Sequence, residues 1–76
     1  MVFNAREAII QLGLMFQEGH RLSRKMIEKQ FNISSRTVYR YIATLRREYN
    51  APIVYDDIDE KYSCSTSWNI MEQLKK

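Results

Sequence analysis

LSRKMIEKQFNISSRTVYRYIATL, residues 22–45, decides the fold of this chain. Ser23 can accept a hydrogen bond from the free backbone N–H groups of a starting helix. Leu22 before it and Ile27 after it occupy the two positions of a hydrophobic staple. The helix that begins there turns Met26, Ile27 and Phe31 inward. It must stop at Asn32, a residue that tolerates the left-handed conformation of a helix end. Ser34 repeats the capping arrangement, with Ile33 and Val38 in the staple positions, so a second helix runs from about residue 34 to 49. Two short helices joined by a tight turn follow, and the successive staples fix the angle between them.

On a wheel of about 100° per residue, Val38, Ile42, Leu45 and Tyr49 share one narrow sector, while Arg36, Ala43, Arg40 and Arg47 share the opposite one. One edge packs and the other is cationic. Ala43, small and central in the outer stripe, lets the helix backbone approach a groove floor. The arginines beside it can reach phosphates or base edges, and arginine is the commonest reader of guanine in the major groove. From His20 to Arg47 there are eight basic residues and one acid, a local charge of +7, whereas the remainder of the chain holds four basic and eight acidic residues, a charge of −4. The net +3 therefore conceals a strong asymmetry of the kind expected of a phosphate-binding surface. A basic stripe alone is more often a solvated face, and Arg46 and Arg47 also complement a helix C-terminus. The cap, turn and staple spacing tips the balance toward a DNA-reading helix-turn-helix.

Upstream, Asn4 with Glu7 forms a capping-box pattern, and Ala8, Ile9, Leu12, Met15 and Phe16 recur at helical spacing over about residues 5–18. Gly13 within this helix costs about 1 kcal/mol relative to alanine, which fits either close packing at that point or simple tolerance. Gly19 ends it. Downstream, Tyr49-Asn50-Ala51-Pro52 breaks the third helix, because the residue before a proline avoids helical angles. Ile53-Val54-Tyr55 and Tyr62-Ser63-Cys64 are short β-favouring runs on either side of an acidic loop, and they predict a two-stranded hairpin. The expected architecture is mainly α with a small β wing: a winged helix-turn-helix of three helices and a hairpin over residues 1–64, followed by a short amphipathic C-terminal helix within 65–76.

At 76 residues the chain has room for one domain with a small core and marginal stability. The lone Cys64 cannot form an internal disulfide and suits a reducing cytoplasm. No apolar run approaches the roughly 18 residues of a membrane span, and the start MVFNAREA lacks the pattern of a signal peptide. A cytoplasmic protein with no membrane partner is expected.

Residues Ile33-Ser34-Ser35-Arg36-Thr37-Val38-Tyr39-Arg40, then Ile42 and Leu45, then Tyr49-Asn50-Ala51-Pro52-Ile53-Val54-Tyr55-Asp56, carry a resemblance. The chain resembles the N-terminal winged helix-turn-helix of DeoR-like and WYL-type bacterial transcription regulators, and more distantly that of the biotin repressor, over most of residues 6–64. The family patterns are V-S-x-R-T-V-Y-R and Y-G-A-P-I-x-Y-D. The resemblance implies sequence-specific double-stranded DNA binding by a bacterial or phage transcription regulator, with Ser35, Arg36, Thr37, Tyr39 and Arg40 facing DNA. Arg36 would read bases, while Arg40 and the hydroxyls of Ser35 and Thr37 would hold phosphates and set the register. Arg24 and Lys25, in the first turn of the preceding helix, are placed to reach the backbone that this helix crosses, and Arg47 extends the stripe. Tyr39 fits two placements equally, against a thymine methyl or phosphate, or partly buried at the helix-helix seam.

Two departures bear on function. Asp56, Asp57, Asp59 and Glu60 crowd the expected wing tip beside a single lysine, so like-charge repulsion argues against wing contacts to phosphate. These carboxylates also lack the spacing and glycine of an EF-hand loop, and no metal or other cofactor is expected. A solvated loop, or a docking site for RNA polymerase or another protein, suits them better. Second, the family normally continues into a sensor or oligomerisation domain, whereas residues 65–76 offer only Trp68, Ile70, Met71 and Leu74, with Trp68, Met71 and Leu74 recurring at helical steps. A helix so short must pack on something: on the first helix, or on its twin in a homodimer. An enzyme is not expected, since His20 has no neighbouring cysteine or second histidine and no glycine-rich phosphate loop exists. The alternative is a winged-helix protein-interaction module of a phage or mobile-element assembly.

Overall fold

The structure is a computed structural model that describes residues 4–74. Helix α1 (Ala5–Gln17) leads into strand β1 (Leu22–Ser23), helices α2 (Arg24–Phe31) and α3 (Ser35–Glu48), strands β2 (Ile53–Asp56) and β3 (Lys61–Cys64), and helix α4 (Ile70–Leu74). Each of the first three helices starts on a side-chain cap. Asn4 Oδ1 accepts from the Glu7 N–H at 2.8 Å, Ser23 Oγ from Met26 at 3.1 Å and Ser34 Oγ from Thr37 at 3.3 Å. Asn32 closes α2 in the left-handed conformation, with φ 53° and ψ 54°, so the turn between α2 and α3 consists of Asn32, Ile33 and Ser34.

One core collects the apolar edge of every element. Leu12 and Phe16 of α1, Ile27 of α2, and Val38, Ile42 and Leu45 of α3 are buried together with Leu22, Ala51, Ile53, Tyr62 and Ile70. Met26, expected inward, is instead 46% exposed, and Phe31 is half-buried. Helix α2 has only eight residues and meets the core through Ile27. Met26, about 100° away around the helix, is carried out toward solvent.

The wing is larger than the expected hairpin. β2 and β3 pair antiparallel with Tyr55 opposite Tyr62 and Asp56 opposite Lys61, and β1 adds a third strand with Leu22 opposite Tyr62 and Ser23 opposite Lys61. The order is β1-β3-β2. Two residues cannot show a strand period, and their partners lie far along the chain, so this strand left no local pattern. Leu22 thus serves as helix staple and ladder partner at once.

Residues after β3 return to the helices. Ser65 donates its backbone N–H to the Pro52 carbonyl at 2.8 Å. The Trp68 indole N–H donates to the Tyr49 carbonyl at 2.9 Å, and the Ile70 N–H donates to Gln17 Oε1 at 2.9 Å. Ile70 is fully buried, whereas Met71 is 51% exposed. Of the expected apolar side of Trp68, Met71 and Leu74, Trp68 packs against the core while Met71 turns to solvent. The helix starts only at Ile70, so Trp68 lies before it and Ile70 takes the inward position. Lys75 and Lys76, within the expected tail, lie outside the described residues.

Gly13 is where α1 admits this return. A Cβ there would lie 2.5 Å from Ile70 Cδ1, 3.2 Å from Leu45 Cδ2 and 3.4 Å from Trp68 Cη2, so close packing explains the glycine. Gly13→Ala gains about 1 kcal/mol of helix propensity but overpacks a filled site at about 1–3 kcal/mol. Thermal unfolding should show a net loss of about 1 kcal/mol. The same substitution in an Ile70→Val background, which lacks the obstructing methyl, should be neutral or stabilising.

Candidate nucleic-acid interface

Helix α3 is held along one edge by Val38, Ile42 and Leu45, which are all buried. That seating decides what the opposite edge offers. Arg36, Arg40 and Arg47 are exposed, and among the described residues no ion pair or hydrogen bond occupies their guanidinium groups. The three span about 16 Å of helix at about 1.5 Å per residue, with the half-buried Ala43 between them. Ser35 and Thr37 are half-buried in the first turn. Thr37 Oγ1 lies 3.1 Å from Ser34 Oγ, so its hydroxyl joins the cap.

Other basic residues of the 20–47 segment are engaged within the protein. Arg46 donates through Nε and Nη2 to the Ile53 carbonyl at 3.1 and 3.0 Å, tying α3 to the outer strand of the sheet. Arg24 Nε lies 3.1 Å from Glu28 Oε2 one helical turn on, an ion pair without hydrogen-bond alignment. Arg21 reaches the wing, with Nη2 3.3 Å from Asp56 Oδ2 and 2.5 Å from Asp59 Oδ2. The segment charge of +7 therefore overstates the unengaged cation, which comprises Lys25, Lys29, Arg36, Arg40 and Arg47. Neither the strand brace of Arg46 nor the wing contact of Arg21 carries a local sequence signal, because each joins residues set by the tertiary fold.

Between α3, the start of α2 and the wing lies a cleft of about 580 Å³. Tyr39, Tyr55 and Tyr62 line it together with Ser23, Arg24 and Lys25 on the α2 side and Asp59 and Glu60 on the wing side. Tyr39 is 52% exposed, so it belongs to this open surface and not to a buried helix-helix seam. The Tyr55 and Tyr62 rings lie 4.8 Å apart, tilted at 53°. Desolvation, and then the carboxylates of Glu60 and Asp57, raise the Tyr55 phenol above its ordinary value. Desolvation, and then Tyr39, do the same for Tyr62. Both hydroxyls stay protonated at neutral pH and can donate.

The wing turn is organised by one carboxylate. Asp56 Oδ1 accepts the N–H groups of Ile58 at 2.8 Å and Asp59 at 3.2 Å, and Glu60 adopts a φ of 56° to rejoin β3. Those backbone donors, with Arg21 adding to them, hold the Asp56 carboxyl below its ordinary 3.8. Among the described residues no cluster of histidine, cysteine and carboxylate side chains could hold a metal ion, and no helix is long and apolar enough to cross a membrane. His20 is exposed, 3.6 Å from Glu18. Cys64 is half-buried, and burial pushes its thiol up.

Two helices across a tight turn, a third helix behind them and a β wing beside the second define a winged helix-turn-helix. The chain belongs to the HTH domain family, which matches residues 5–57, and so to the DNA-binding domains of transcription regulation. No curated protein and no solved structure matches the chain.

Arg46→Met removes both hydrogen bonds to a part-buried carbonyl, and chemical denaturation should register a loss of about 1–2 kcal/mol. The depressed Asp56 carboxyl stabilises the wing at pH values above the ordinary carboxylate range. That contribution fades as pH falls below about 4, through the lower folded value. NMR amide shifts of Ile58 and Asp59 should therefore hold steady at neutral pH and move in this acid window; movement near pH 6 instead would contradict the assignment.

Proposed function

We propose that this domain binds a specific sequence of double-stranded DNA by inserting α3 into the major groove, as a small transcription regulator of the DeoR-like or WYL kind. The observation that carries this reading is the division among the arginines. Arg21, Arg24 and Arg46 are held by partners within the protein, while Arg36, Arg40 and Arg47 stand unengaged along the outward edge of the helix that follows the turn. An unpaired arginine row flanking a small residue suits a groove floor and its phosphate rims.

In this reading Arg36, nearest the start of α3, reads base edges, as the N-terminal residues of a recognition helix do. Arg40 and Arg47 follow the rims, and the Ser35 hydroxyl holds a phosphate. Thr37 contributes mainly through the cap, from which its hydroxyl can still reach a phosphate. Lys25 meets the backbone crossed by α2, and Arg24 joins it by giving up its ion pair with Glu28. Tyr39 contacts the strand beside the cleft.

Fluorescence anisotropy of the purified protein with a random duplex pool across a salt series tests the reading, followed by selection of the bound sequences. Binding should weaken steeply with salt, as counterion release requires. Arg36→Ala should cost about 1–3 kcal/mol on the selected site and relax its preference at one position, whereas Arg40→Ala should weaken all sequences alike. Equal affinity for wild type and the Arg36→Ala, Arg40→Ala double variant would overturn the placement of DNA on α3.

A further inference from the structure

The acidic wing poses an electrostatic problem that Arg21 is positioned to solve. Asp59 and Glu60 border the same cleft as Arg24, Lys25 and three tyrosines. A DNA strand running beside α3 would bring phosphates close to these carboxylates, and like charges at a binding rim oppose association. Arg21 does not line the cleft. It stands just before β1, and its guanidinium bonds Asp56 at the end of β2 and Asp59 in the turn. β3 lies between β1 and β2, so this side chain spans the sheet. Lys61 lies opposite Asp56 in the ladder and adds a second cation to that row.

We propose that Arg21 is a positioning residue for DNA binding: without touching DNA, it bridges Asp56 and Asp59, offsets one of their two negative charges and so makes the acidic wing more compatible with a phosphate strand in the cleft. This rests on the proposed binding of DNA at α3. With Arg21 and Lys61 set against Asp56, Asp57, Asp59 and Glu60, the wing carries a net −2, where the acids and Lys61 alone would give −3. Tyr55 and Tyr62 supply the cleft with neutral hydroxyls where a more basic wing would place cations. The distinction matters for the mechanism, since removal of the carboxylates can replace a neutralising contact and cannot replace a direct phosphate contact.

A double-mutant cycle separates them. Affinity for the selected duplex is measured at low salt for wild type, Arg21→Gln, Arg21→Lys, Asp56→Asn with Asp59→Asn, and the triple variant, with thermal unfolding of each. Asparagine at 56 keeps the acceptor for the Ile58 and Asp59 N–H groups, so the turn is preserved while the charge is removed. Arg21→Gln should weaken binding about three- to tenfold, as expected for uncovered carboxylates near phosphates. Arg21→Lys should retain most of the affinity. The Asp56→Asn, Asp59→Asn variant should bind at least as tightly as wild type, and so should the triple variant, whose wing carries one negative charge fewer than that of wild type.

A triple variant that binds more weakly than wild type, despite its less acidic wing, would make Arg21 a direct DNA contact and overturn the proposal. Weaker binding by the Asp56→Asn, Asp59→Asn variant would show that the ion pair acts through geometry instead of charge, and would overturn it too. That second comparison also decides the matter if Arg21→Gln fails to fold. Absence of wild-type binding would defeat the reading of α3 itself, and Arg21 with it. Wild-type binding that is unaltered by Arg21→Gln would defeat only the present inference.

Discussion

The burial of Val38, Ile42 and Leu45 is the constraint on which the rest of this structure depends. In a chain this small there is one core, and α3 contributes three of its most enclosed side chains. α1 closes that edge with Leu12 and Phe16, the sheet with Ile53 and Tyr62, and the C-terminal segment with Ile70. Held from three directions, α3 cannot rotate without exposing apolar surface at about 25 cal/mol per Å². Its opposite edge is fixed as firmly as its inner one. The orientation of the arginine row is thus a consequence of packing, and no contact on the outer edge is needed to maintain it.

Much of this architecture was legible from local chemistry. The three caps and the left-handed Asn32 involve residues close in sequence, so Asn4, Ser23, Asn32 and Ser34 could be recognised from residue type and spacing alone. The proline at 52 and the β-favouring runs around the acids likewise announced the hairpin. What stayed hidden was nonlocal. Strand β1 exists because Leu22 and Ser23 find β3, a pairing with no period to detect in two residues. Met26 reads as apolar and inward, but the rotational setting of α2 is chosen by which residues of α3 and β1 it meets. The C-terminal helix was expected, yet its register depended on the space left at Gly13, a property of three elements together.

The outward residues show the same division. Exposure of Arg36, Arg40 and Arg47 follows from the helical period, so counting positions located them. The inward commitments of Arg21 and Arg46 could not be counted, because their partners, Asp56, Asp59 and the Ile53 carbonyl, are brought near by the fold. Charge summed along a sequence treats all these side chains alike. In the folded protein some guanidinium groups complete the structure while others remain for a partner, and this difference is what gives a modest net charge a directed surface.

Arg46 has one more effect. Strand β2 lies at the rim of the sheet, where unpaired main-chain groups invite strands from other molecules. The Ile53 carbonyl on this rim is already occupied by two guanidinium donors, and the opposite rim, β1, is only two residues long. An incoming strand would have to displace a charge-assisted bond on one side and would find almost no template on the other. Copies of this domain brought close together are thereby guarded against growing into a shared sheet, by a cation whose place is within the protein.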